Sequence, residues 1–126
     1  MSGFTFDSNI VIDALAGFER ARDEFARAAG LNGRVWVSRM VWIEVMSKGV
    51  DRDLRRTERF LSGLMVDEVD AEIGARAAAL RRERPGLKSP DAVILATAQL
   101  RSRVLVTRNT KDFPAQMPGI RVPYIL

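Results

Sequence analysis

Apolar and polar residues alternate along this chain in blocks of two kinds. Short runs rich in β-branched and aromatic residues, "GFTF", "RVWVS", "MVDEV", "RVLVT" and "IRVPYIL", are separated by longer stretches with apolar residues at helical spacing. "GFTF", just ahead of Asp7, reads as a buried first strand, and "SNIVIDALAG" as a short helix closed by Gly17. In "FERARDEFARAAG", Phe18, Ala21, Phe25 and Ala28 make one apolar stripe among charges, which predicts a second helix ending at Gly30. "RVWVS" predicts the second strand, and Ser38 is placed to cap a helix carrying "MVWIEVMSKG". "DRDLRRTERFLSGL" has the charge of a surface helix, and "MVDEV" is a weaker strand. A helix from about Asp70 through "EIGARAAALRRER" stops at Pro85-Gly86. Ser89 as cap and Pro90 in the first position open the helix "SPDAVILATAQLRS". "RVLVT" is then a fourth strand, and "IRVPYIL" a last one whose Pro123 suits a sheet edge.

Strands alternating with helices are the order of βαβ units. The expected fold is therefore α/β in three layers, a mostly parallel sheet covered by helices on both faces. A length of 126 residues suits one domain. No repeat, low-complexity tract or linker interrupts it, so residues 1–126 read as a single unit.

Composition then narrows the chemistry. The chain has no cysteine and no histidine. Disulfides, thiolate metal sites, Ser-His and Cys-His triads and HExxH zinc sites are all excluded, and any catalysis rests on carboxylates, amides, hydroxyls, Lys, Arg or a metal. Twenty basic against sixteen acidic residues leave a net charge of +4, which favours a polyanionic partner without requiring one. The N-terminal stretch lacks the basic start of a signal peptide, and Asp7 and Asp13 interrupt its apolar run. With no run near about 18 apolar residues, no membrane span is expected, and the expected setting is the cytoplasm.

In a parallel sheet of this kind, the loops after strands and the starts of returning helices gather along the carboxyl edge. Asp7 follows strand one, Glu44 lies in the helix after strand two, and Asp91 is in the first turn of the helix leading to strand four. Asn109 and Asp112 follow strand four in "TRNTKDF". Taken singly, most have ordinary roles: Asp7 as a helix cap, Asp91 as a complement to a helix dipole, Asn109 and Asp112 in Asx turns. Glu44 fits such a role least well. It sits in "MVWIEVM" with apolar neighbours on every helical face, where an unpaired carboxylate costs several kcal/mol or shifts its pKa. An arginine partner is one solution; a cation shared with the other acids is the sharper one. An all-oxygen donor set selects Mg²⁺ or Mn²⁺, and such ions activate water and neutralise a phosphodiester without a side-chain base.

Ser8 and Thr107 offer hydroxyls beside this edge, and Arg108 a nearby charge. "RRERPGLK" sets Arg81, Arg82, Arg84 and Lys88 against Glu83, just ahead of Asp91, where a phosphate backbone would pass near the acids. Solvated surface charge is the plainer reading of that turn.

Together "FDSNIVIDAL", the Glu of "VWIEVM", "SPDAVILATA" and "LVTRNTKDFP" resemble, in order and spacing, the PIN domain family, most closely its VapC-type toxins. The resemblance runs nearly end to end. It implies a five-stranded parallel sheet in the order 3-2-1-4-5 and an acidic pocket that binds Mg²⁺ or Mn²⁺ and cuts RNA. Carried over by position, Asp7, Glu44, Asp91 and Asp112 match the family's acids as metal ligands, with Asn109 at the polar position after strand four, where some members have Asp. Ser8, Arg82, Lys88, Thr107 and Arg108 become candidate substrate contacts. The resemblance also implies a homodimer silenced by a small antitoxin, with "DRDLRRTERFLSGL" and the Trp-bearing helix of residues 39–49 as candidate antitoxin surfaces.

Two other classes compete with a metal-dependent endoribonuclease. One is a Mg²⁺-binding receiver-type signalling domain, which wants adjacent acids after strand one, where this chain has "DSN". The other is a non-catalytic RNA- or partner-binding scaffold of the same fold, toward which Asn109 points.

Overall fold

The computed structural model describes residues 3–126. Five strands, β1 (Phe4–Phe6), β2 (Val35–Ser38), β3 (Met65–Asp67), β4 (Val104–Val106) and β5 (Ile120–Arg121), are joined by six helices. These are α1 (Ser8–Leu15), α2 (Glu19–Asn32), α3 (Arg39–Lys48), α4 (Asp51–Ser62), α5 (Ala71–Glu83) and α6 (Ser89–Leu100). The sheet order is β3-β2-β1-β4-β5 and every pairing is parallel. That is the expected order, and it differs from the 2-1-3-4-5 sheet of receiver-type domains, which removes that alternative.

The central strand explains itself: all three residues of β1 are buried, as a strand covered on both faces requires. Phe25 of α2 stacks on Phe6 with ring centroids 4.2 Å apart and meets Phe60 of α4 edge-on at 5.4 Å. This aromatic column ties the sheet to two helices, each fully buried ring contributing roughly 1.5–3 kcal/mol. Of the predicted stripe on α2, Ala21 and Ala28 are fully buried. Trp42 packs against the core under Arg39, and Trp36 lies beneath the Arg103 guanidinium, 3.6 Å from its ring centre.

Four boundaries depart from the sequence reading. Helix α2 passes through Gly30 and ends at Gly33, whose φ of +76° is the left-handed conformation that terminates helices. Gly30 has ordinary helical backbone, and its missing side chain costs only propensity. Ser89 is the first helical residue of α6 and Lys88 the cap, with no side-chain cap bond, so Pro90 is second. The last strand covers only Ile120 and Arg121, since Pro123 has no N–H to extend the ladder. Gly3 stays outside β1 with φ +95°, and a Cβ there would meet Asn32 Nδ2 at 2.3 Å.

Candidate active site

The acids come from a strand end, two helices and the loop after β4. Asp7 follows β1 and caps α1, its Oδ1 accepting from the Ser8 N–H at 2.8 Å, so the ordinary role and the candidate one coexist. It is 3% exposed. Its other oxygen accepts from Thr107 Oγ1 at 2.7 Å and Asn9 Nδ2 at 3.3 Å. Thr107 directly follows β4, so two neighbouring strands meet at this carboxylate. Burial nevertheless pushes the Asp7 carboxyl above its usual range, and the Glu44 charge adds to the rise.

Glu44 is half-buried on α3. Its Oε1 is buried with no hydrogen-bond partner, while the nearby Ser8 hydroxyl steadies the carboxylate. Its pKa is raised, first by burial and then by Asp91, against a smaller opposing pull from Lys48 one turn along. Asp91, in the first turn of α6, is pushed up to about 6 by burial, by the charges of Asp7 and Asp112, and by a hydrogen bond to Asp112 that favours its protonated form; Lys88 partly offsets this. Asp112 accepts from Asn109 Nδ2 at 3.0 Å, and its own N–H donates to Asn109 Oδ1 at 3.3 Å.

Asp91 therefore links the predicted acids electrostatically: the charges of Asp7 and Asp112 act on it, and it acts on Glu44, which in turn acts on Asp7. Among the described residues no three carboxylates stand close enough to enclose an ion as they are. The donor set itself is all oxygen, and the orphaned Glu44 oxygen is the kind of atom that a hard cation satisfies.

The remaining candidates separate. Ser8 and Thr107 both touch the acids. Lys88 is exposed near Asp91, and Arg82 is exposed on the last turn of α5. Arg108 is placed differently from the expectation of a substrate contact: its guanidinium is spent on Asp13, through Nε at 2.7 Å and Nη2 at 3.1 Å. Within the basic turn, Arg81 donates to the Leu87 carbonyl and Arg84 to the Asp112 carbonyl at 2.6 Å, so these two brace the site. The sequence reading missed Asn9 as a site residue, which bonds Asp7 and also accepts from the Arg108 N–H, and it read Arg84 only as surface charge; Asn9, two residues after Asp7, was the one with a legible signal.

Comparison with known proteins agrees with this geometry. The PIN domain family model matches residues 4–116. Ribonuclease VapC19 of Mycobacterium tuberculosis is 30% identical over 122 residues, covering 94% of this chain and 97% of its own length. A chain of a toxin-antitoxin complex from Klebsiella pneumoniae is 39% identical with a TM-score of 0.87, over 97% of this chain and 98% of that one. DNA-bound VapBC from Salmonella typhimurium contains a chain 27% identical, TM-score 0.77, with 96% of each covered. No described helix is long and apolar enough to cross a membrane. The chain belongs to the PIN domain family and, within it, to the VapC-type proteins.

Proposed function

We propose that this protein is a metal-dependent endoribonuclease, the toxin of a toxin–antitoxin pair, hydrolysing RNA phosphodiesters at the Asp7, Glu44, Asp91 and Asp112 cluster. One observation carries the reading. Burial and neighbouring acids raise the proton affinity of Asp7, Glu44 and Asp91, with Asp112 beside Asp91, and Glu44 holds a buried, unpartnered oxygen. The likeness to Ribonuclease VapC19 of Mycobacterium tuberculosis supports ribonuclease chemistry.

Mg²⁺ or Mn²⁺, when bound, supplies an activated water and offsets charge on the phosphodiester. Asp7, Glu44, Asp91 and Asp112 are the residues to hold it. Thr107 and Asn9 fix the Asp7 carboxylate, and the Asn109 amide fixes that of Asp112. Asn109 itself is neutral, so it orients an acid where a fifth charge would deepen the repulsion. Lys88, exposed just ahead of Asp91, and Arg82, exposed at the end of α5, draw the phosphate backbone toward the acids.

An antitoxin partner has a fitting surface. A groove of about 400 Å³ is lined by Ala14, Leu15, Phe25 and Phe60 and rimmed by Arg22, Arg56 and Arg59, which suits an amphipathic, acidic segment. It uses α4, the charged helix expected in that role, together with α1 and α2. The solved relative from Klebsiella pneumoniae is itself a toxin-antitoxin complex.

Incubating total cellular RNA with purified protein in Mg²⁺, Mn²⁺ or EDTA, beside Asp7→Asn and Asp91→Asn, tests the activity. Discrete fragments that need metal and vanish in both variants are expected. Identical RNA in every lane, from folded protein free of co-purified inhibitor, leaves the binding scaffold as the better description.

A further inference from the structure

Asp13, Arg108 and Tyr124 form a closed unit behind the acid-bearing loop. Asp13 on α1 is 8% exposed and accepts from Arg108 at 2.7 and 3.1 Å and from the Tyr124 hydroxyl at 2.8 Å. Burial works against this carboxylate, and the bonds from Arg108 and Tyr124 outweigh it, holding its pKa below the usual range. Tyr124 is buried near the end of the chain and packs edge-on against Phe18, ring centres 5.0 Å apart. The Arg108 backbone is held too, its N–H donating to Asn9 Oδ1 at 3.3 Å.

Arg108 stands between the two residues that grip the outer acids. Thr107 donates to Asp7, and Asn109 donates to Asp112. No residue between Thr107 and Phe113 is buried, so apolar packing does not set the shape of this loop; polar ties do. A two-pronged guanidinium on a buried carboxylate is the most directional of those ties.

Resting on the ribonuclease reading, we infer that Asp13, Arg108 and Tyr124 act as one positioning unit, which fixes loop 107–112 against α1 and so sets Asp7 and Asp112 relative to each other. Arg108 acts through the acids and not on RNA.

The test compares Tyr124→Phe, Asp13→Asn, Arg108→Gln and the Asp13→Asn/Arg108→Gln double variant. Single-turnover cleavage is expected to fall about tenfold or more in each, because sub-ångström misplacement of reacting groups is costly. RNA affinity measured in EDTA stays within about twofold of wild type, and the double variant is no slower than the slower single one. Amide exchange speeds up at Arg108 and Asn109 while Leu105 in β4 keeps its protection. Weakened RNA binding confined to Arg108→Gln would make that residue a direct contact and overturn the inference. So would unchanged exchange at 108 and 109, or exchange that rises across the whole sheet. Tyr124→Phe removes one hydroxyl and no charge, which keeps the test sound if Asp13→Asn fails to fold. If wild type cleaves no RNA, the ribonuclease reading falls, and the exchange measurement still decides whether the unit holds the loop.

Discussion

Glu24 and Glu44 both project from helices into crowded, largely apolar surroundings, yet they are treated in opposite ways. Glu24 is 4% exposed and takes bonds from Arg27 and Arg121, with Oε1 to Nε contacts of 2.9 and 2.6 Å. Burial alone would raise its pKa, and the two guanidiniums reverse that. Glu44 has no arginine; its pKa is raised by burial and by Asp91, and one oxygen has no partner at all. The chain solves the problem of a buried carboxylate completely in one place and leaves it open in another, although it has arginines to spare. Two guanidinium nitrogens, on Arg84 and Arg103, are also buried without a partner, but Glu44 carries the one such carboxylate oxygen among the described residues.

The contrast yields expectations that can break it, the largest first. Asp7→Asn or Asp91→Asn should lower RNA cleavage about a hundredfold or more, as loss of a group acting at the reacting centre does. Glu24→Gln should leave the activity of folded protein near wild type in the same assay. Glu24→Ala should destabilise the fold by about 2 kcal/mol in urea titration, less than a fully buried pair because both guanidiniums are part exposed. Glu44→Ala in metal-free buffer should be neutral or stabilising. Equal losses from the two substitutions would erase the distinction.

The smallest effect is in pH. Asp91 titrates near 6 when folded against an ordinary carboxylate value near 4, so the folded form binds the extra proton between those values. Its ionisation therefore costs stability, a cost absent below about pH 4 and complete above about pH 6. Asp91→Asn should match wild type near pH 4 and exceed it by about 1 kcal/mol at pH 7, discounted for solvent screening of a part-exposed carboxyl. A gap that shrinks as pH rises contradicts the assignment.

How much of this was legible follows from what each kind of signal encodes. The alternation of strands and helices was readable because local pattern constrains it: β-branched runs, the Ser38 cap, and the Pro85-Gly86 stop all behave as chemistry dictates, while the strand order came only with the family resemblance. Gly30 misled because a glycine also fits inside a helix with ordinary backbone, and the left-handed residue that ends α2 is Gly33. The pairing of Arg108 with Asp13 joins residues 95 apart, and that of Arg121 with Glu24 residues 97 apart. Among so many arginines, no local rule says which one meets which acid, so the charge read as a candidate substrate contact is found paired with Asp13.

The most direct measurement of the central claim is thermal unfolding of the metal-stripped protein against increasing Mn²⁺, for wild type, Glu44→Gln and Glu24→Gln. If the open carboxylates form a cation site, wild type gains stability with Mn²⁺, by about 2.7 kcal/mol at a hundred times the dissociation constant. Glu24→Gln then gains as much from its lower starting point, and Glu44→Gln gains little. The same Mn²⁺ response in all three, or none in wild type, contradicts it.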